Sequence, residues 1–315
     1  MRVLPHSTRR SFLAQSALAA TGASLCPRLT FAADTGPHVQ FPAEARERIA
    51  IASYPFRAFI AGPRDGASVP KMDLKDFAAH CQEKLGISKI EPWNQHFRST
   101  DAKYLVEFRA TVQKARGAVV NIAVDGKHSP YATDAADRDQ AVTFSKKWID
   151  VAAAIGSPSV RTNIAEAKDA KPDVDRAAES LKRVAEYAAA KNVVVHLEND
   201  NASSEDPFFL VQLIEKVNSR WLRSNPDFCN TLATGREEYA YKGLAAMFQH
   251  AYGICHVKDS EANDKGQVFK VDMPRTFDIL KRANYRGYCS MEFDAPGDPY
   301  SGTTALIKQT LQYLG

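Results

Sequence analysis

The chain has 315 residues, 44% of them hydrophobic and 25% charged, and a formal net charge of +4. Arg2, Arg9, Arg10 and Arg28 lie in the first 32 residues, which hold no acidic group, so the remainder is neutral (4 − 4 = 0). A neutral chain lacks the basic footprint needed for a phosphate backbone, which argues against a nucleic-acid partner, and its length suits one large domain or two small ones.

The first residues read as a leader. Arg9 and Arg10 precede Phe12, Leu13 and a short, mildly apolar run, and "TFAAD" offers small residues for cleavage near Ala32. The Ser-Thr-Arg-Arg-Ser-Phe-Leu pattern resembles a twin-arginine export signal, which predicts passage through the twin-arginine machinery into the periplasm. With Gln15 and Ser16 inside it, the run is too short and too polar for stable membrane insertion. Residues 1–32 are therefore assigned to a signal peptide, 33–47 to a linker and 48–315 to the folded domain. Cys26 leaves with the leader, and Cys81, Cys229, Cys255 and Cys289 have no metal-site spacing, so they read as packing residues.

Strand-like and helix-like stretches then alternate. "RIAIASYPF" (48–56) is followed by "DLKDFAAHCQEKLG" (73–86), whose apolar residues recur at helical spacing up to a stop at Gly86. "ISKIEPW" (87–93) pairs with the helix "AKYLVEFRATVQKARG" (102–117), and "AVVNIAVDG" (118–126) with "DQAVTFSKKWIDVAAAIG" (139–156). "SPSVRTNI" (157–164) precedes the amphipathic run 174–192, and "VVVHLEN" (193–199) precedes 206–218, with Pro207 in its first turn. The last three units are "WLRSNPDFCN" (221–230) with 237–251, "YGICHVKD" (252–259) with 273–285, and "GYCSMEFD" (287–294) with 302–315. Eight strand–helix units without a linker predict a parallel (β/α)₈ TIM barrel with an outer ring of helices. An open doubly wound sheet fits less well, because no glycine-rich phosphate loop follows the first strand.

Barrel chemistry sits at the C-terminal ends of the strands. Those ends carry Glu91 in "KIEPWN", Glu198 in "VHLEND", Asp227 in "NPDFCN", His256 in "CHVKD" and Glu292 in "SMEFD". Strands five to eight thus each deliver one oxygen or imidazole donor at one height. Taken singly, each has an ordinary explanation: a helix cap, a turn former, a hydrogen-bonded core histidine, a partner for Lys258. Taken together and uncompensated, they would repel one another and shift their pKa values. One divalent cation resolves this, and three carboxylates with one imidazole favour Mn²⁺, Mg²⁺, Co²⁺ or Zn²⁺.

The set "HLEN", "PDFCN", "HVKD" and "MEFD" on eight units resembles the xylose-isomerase-like superfamily of sugar isomerases and epimerases, from about Ile49 to the C-terminus. The resemblance implies that Glu198, Asp227, His256 and Glu292 bind one divalent metal. For its epimerase branch it implies that Glu198 and Glu292 form the acid–base pair. Two departures stand out: Asn230 and Asn199-Asp200 occupy positions where many members have histidine, which disfavours a second metal.

A metal chelated by a carbonyl and its neighbouring hydroxyl acidifies the intervening C–H, so one glutamate can remove a proton to give an enediolate and another can return it. Lys258 can steady the oxyanion or form an ion pair with Asp259 or Glu292. For substrate contacts the candidates are Glu91, Trp93, His128, Arg161 and His196. A tryptophan suits the apolar face of a sugar ring. Arg161 can instead make a salt bridge within the barrel, His196 can support Glu198, and His128 and Arg57 can simply be exposed. The reading is a metal-dependent isomerase or epimerase of an unphosphorylated carbohydrate. The alternatives are a lyase or hydrolase working through the same enediolate, as on keto-glycosides or inososes, and a non-catalytic sugar-binding barrel. A homo-oligomer is compatible with the sequence.

Overall fold

The apolar strand segments and amphipathic stretches take the expected conformations in a computed structural model, which describes residues 36–63, 65, 71–200, 206–263 and 265–315. The expected leader lies outside the described residues. The strands are β1 (Ile49–Ala52), β2 (Lys89–Glu91), β3 (Ala118–Val119), β4 (Ala123–Val124), β5 (Ser159–Thr162), β6 (Val194–Glu198), β7 (Leu222–Asn225), β8 (Ile254–Val257), β9 (Ser260–Ala262), β10 (Val268–Lys270) and β11 (Tyr288–Met291). The helices are α1 (Phe77–Leu85), α2 (Ala102–Lys114), α3 (Ala135–Ile155), α4 (Val174–Lys191), α5 (Pro207–Val217), α6 (Glu237–Phe248), α7 (Met273–Arg282) and α8 (Pro299–Leu314). Aspartates cap several of their N-termini: Asp134, Asp173, Asp206, Asp272 and Asp298 each accept from a backbone N–H of the first turn. Gly86 and Gly156 close α1 and α3 in the left-handed conformation, at φ +66° and +80°.

Two parallel sheets, in the orders β3-β2-β1-β11-β8 and β4-β5-β6-β7, supply the staves of a TIM barrel. The third stave is expected as one strand and is found as two pieces, one in each sheet. Backbone bonds bridge the sheets on both sides. Ala123 N donates to Pro92 O at 2.9 Å, and on the far side His256 N donates to Pro226 O at 3.0 Å. Strand residues alternate faces. Cys255, Val257, Cys289 and Met291 join the core beneath the helices, with Phe77, Phe108, Leu213 and Phe277. Their inward neighbours Ile254 and Tyr288 form a separate small cluster with Ala50 and Val120.

Two features depart from expectation. Strands β9 and β10 form an antiparallel hairpin inserted between β8 and α7. The linker expected at 33–47 is in part packed structure: Phe41 sets its ring edge-on to Tyr252 and Tyr288, with centroids at 5.3 and 5.8 Å. The Tyr252 hydroxyl donates to Pro37 O at 2.9 Å, so this segment covers the N-terminal end of the barrel. Cys81, Cys229, Cys255 and Cys289 are buried and free, as their apolar surroundings imply. No helix of the described residues is long and apolar enough to cross a membrane.

Candidate metal centre and active site

Four inward groups meet at the C-terminal rim. Glu198 ends β6, Asp227 lies two residues past β7, His256 sits near the end of β8, and Glu292 follows β11. All four are buried, and one donor atom from each lies within 4.8 Å of the others. His256 Nδ1 is 2.5 Å from Glu198 Oε1, 3.2 Å from Glu292 Oε2 and 4.0 Å from Asp227 Oδ2.

Local structure aims these donors. Asp227 Oδ1 accepts from the backbone N–H groups of Cys229 and Asn230, at 2.8 and 2.7 Å. The Asn199 side chain bonds both the N–H and the C=O of Asp227. That leaves Asp227 Oδ2 buried and without a hydrogen bond, while Glu198 Oε2 is turned to the Arg161 guanidinium, 2.6 Å from Nε. Buried, unsatisfied anionic oxygens are costly. Asp227 Oδ2, gathered with Glu198 Oε1, Glu292 Oε2 and the imidazole, fits a hard divalent cation bound by three oxygens and one nitrogen.

The electrostatics agree with the crowding. Burial opposes charge on His256, but Glu198, Glu292 and Glu91 outweigh it and hold the imidazole pKa well above its ordinary value. Burial pushes Asp227 up to about 8, against Lys258 and with Glu198 and Glu292. Burial would also raise Glu292, yet His256 and Lys258 hold it well below the usual carboxylate range. Lys258 Nζ donates to Asn230 Oδ1 at 2.7 Å and Glu261 Oε2 at 3.0 Å, with Glu292 Oε2 at 3.5 Å.

A cavity of about 310 Å³ opens above this group. That is at the small end of ligand sites, roughly 300–1,000 Å³. Its carboxylates are Asp125, Glu198, Asp200, Glu261, Glu292 and Asp294, and its cations Arg161 and Lys258. Tyr54 and Trp93 form an aromatic wall, ring centroids 5.2 Å apart and edge to face. Trp93 Nε1 donates to Asp125 Oδ2 at 2.6 Å, which fixes the indole plane.

The structure sorts the expected substrate contacts. Trp93 and Arg161 line the cavity. Arg161 is engaged by acids: its Nη1 lies 2.5 Å from Asp125 Oδ1, and its Nε lies 2.6 Å from Glu198 Oε2 without hydrogen-bond alignment. Its alternative reading as a barrel salt bridge is therefore what the geometry displays. Lys258 pairs with Glu261 rather than Asp259, within reach of Glu292. Glu91 does not face the cavity; both its carboxylate oxygens lie 3.0 Å from His256 Nε2. His196 sits below the rim, fully buried, accepting from Gly253 N at 3.1 Å through Nε2, and burial pushes its pKa down to about 3. A side chain at Gly253 would collide with this ring, its Cβ 2.7 Å from Cε1. His128 is bonded to Asp137 Oδ1 at 2.6 Å and lines a separate surface groove with Arg98, Lys127 and Lys147. Arg57 is ion-paired with Asp294 at 3.2 Å beside the mouth.

Tyr54, Asp125, Asp200, Glu261 and Asp294 were not anticipated. Asp125 was within reach, since it ends the segment "AVVNIAVDG" as Glu91 ends its own. Glu261 carries no such signal, because the hairpin that supplies it has no alternating pattern.

No curated protein sequence matches the chain. Solved structures resemble it at low identity. A xylose isomerase-like TIM barrel protein from Mycobacterium smegmatis in complex with magnesium aligns at TM-score 0.62 and 16% identity, over 89% of this chain and 98% of that one. An L-ribulose 3-epimerase aligns at TM-score 0.64 and 17% identity, over 84% and 95%. A 3-keto-D-glucoside 4-epimerase from E. coli aligns at 0.60 and 15%, over 85% and 98%. At these identities the likeness speaks to the fold. The family described as Xylose isomerase-like TIM barrel matches residues 81–314, well over half of the sequence, and the chain belongs to that family.

Proposed function

We propose that the protein is a divalent-metal-dependent isomerase or epimerase of an uncharged carbohydrate, transferring a proton through an enediolate with Glu198 and Glu292. The observation that carries this reading is the buried Glu198–Asp227–His256–Glu292 group beneath a carboxylate-rich cavity. The epimerases among the structural neighbours support the same reaction class. A cation held by these four residues would polarise a substrate carbonyl and the adjacent hydroxyl, making the C–H between them acidic. One glutamate takes that proton and the other delivers one to the neighbouring carbon or the opposite face. The Lys258 ammonium, anchored on Asn230 and Glu261, balances negative charge building on the substrate oxygen. Trp93 and Tyr54 offer the apolar surface on which a sugar ring lies.

Six carboxylates against two cations make the cavity a poor host for a phosphate or a uronate. A neutral polyol, rich in hydroxyl donors, suits it.

The test is deuterium uptake. Metal-loaded protein in D₂O is expected to exchange the α proton of at least one member of a panel of unphosphorylated keto-sugars and cyclitols. Chelation abolishes the exchange, and His256→Ala folds by circular dichroism yet binds no stoichiometric divalent ion by elemental analysis. Full metal occupancy in that variant removes His256 from the ligand set.

The export reading rests on the leader. Replacing Arg9 and Arg10 together by lysine is expected to leave a precursor in the cytoplasm, because the twin-arginine receptor reads both guanidinium groups. Unchanged recovery from the periplasmic fraction points to another route.

A further inference from the structure

We propose that Glu91 is a positioning residue for the metal centre, holding the Nε2–H of His256 so that Nδ1 is presented to the cation. The inference rests on the reading that Glu198, Asp227, His256 and Glu292 bind a metal. Glu91 approaches from β2, and both of its oxygens lie 3.0 Å from Nε2. Its side chain is fully buried and absent from the cavity lining, so a sugar does not reach it.

A relay of hydrogen bonds holds the carboxylate still. Glu91 Oε1 accepts from Asn121 Nδ2 at 2.7 Å, and Asn121 Oδ1 accepts from Ser159 Oγ at 2.6 Å. Asn121 and Ser159 are themselves buried, which ties the orientation of Glu91 to β5. A neutral imidazole carries a single N–H. When Nε2–H donates to Glu91, with Asn225 Nδ2 at 3.2 Å from the same nitrogen, the lone pair remains on Nδ1, the nitrogen facing Glu198, Asp227 and Glu292. A carboxylate behind a ligating histidine fixes the tautomer, orients the ring and raises its basicity. Losing such a partner weakens metal affinity by about 10- to 100-fold.

The experiment uses metal-free full-length protein titrated with Mn²⁺ by calorimetry, comparing wild type with Glu91→Gln. The amide keeps the shape but loses the anionic acceptor, so the dissociation constant is expected to rise by about 10- to 100-fold. KM at saturating Mn²⁺ stays at the wild-type value, because Glu91 does not touch the sugar. In the Mg²⁺-loaded protein, ¹⁵N-labelled histidine should show His256 protonated at Nε2 in wild type and the proton less firmly placed in the variant. Should Glu91→Gln fold poorly, Asn121→Ala, which removes the hydrogen bond on Glu91 Oε1 and leaves its charge, is expected to weaken Mn²⁺ in the same direction. Equal Mn²⁺ affinity in folded Glu91→Gln and wild type overturns the positioning role alone, as does a change confined to KM. A wild type that binds no Mn²⁺ overturns the metal reading with it.

Discussion

Glu198→Gln and Glu292→Gln are each expected to lower turnover by roughly 10²- to 10⁴-fold when compared at saturating divalent metal, the range that a general acid or base contributes. The amide preserves volume and one oxygen donor, so the barrel is not asked to close around a hole. It removes the titratable group and weakens the ligand, which is why the metal must be saturating. The two variants should separate in isotope exchange. The one lacking the base cannot wash the substrate α proton into solvent, whereas the one lacking only the acid still can. Glu198 Oε1 and Glu292 Oε2 both lie within 3.2 Å of the same imidazole nitrogen, so both oxygens sit in the same small volume. If both metal-loaded variants turned over substrate at the wild-type rate, the two-glutamate mechanism would be wrong.

Arg161→Met is expected to lower the unfolding free energy of the metal-free protein by about 3–5 kcal/mol, the cost of stranding a buried partner charge. The guanidinium lies between Asp125, Glu198 and Asp200, at 2.5, 2.6 and 3.9 Å. Only 6% of its side chain is exposed, and 1% of that of Glu198, so this pair is poorly screened, whereas Asp125 and Asp200, at 34% and 35%, are partly solvated. Methionine fills most of the stem volume, which isolates the electrostatic loss from a cavity effect. Urea denaturation monitored by circular dichroism measures the change. An unchanged midpoint means that Asp125, Glu198 and Asp200 are compensated by something other than Arg161.

The alternation of apolar segments and amphipathic helices made the barrel legible, because each period is imposed by a different burial geometry. The four metal-ligand candidates were legible for a related reason: a charged residue at the end of an apolar strand has nowhere to go but the rim. Depth and partners were not. His196 shares a face with Glu198, yet two residues along a strand put it one layer lower, against Gly253. Glu91 ends its strand as Glu198 does, but β2 carries it onto His256, and only the tertiary arrangement of the two sheets shows that. Asp294, Glu261 and Tyr54 come from loops and the inserted hairpin, whose positions depend on tertiary contacts such as Lys258 to Glu261 and Arg57 to Asp294. The third strand is found in two pieces, Ala118–Val119 against β2 and Ala123–Val124 against β5, a break that its apolar run does not signal.

The Pro37–Phe41 segment, packed edge-on against Tyr252 and Tyr288, has a practical corollary for handling the protein. It pins the first described residues to the end of the barrel away from the carboxylate-rich rim. A tether joined at Gly36 itself therefore starts on the blind side. Protein immobilised on a resin or sensor through that end displays its mouth to the solution, so substrate can be washed in, read and washed out without the support competing for the entrance. Trimming the chain into this segment to shorten such a tether would strip the aromatic lid from the barrel floor.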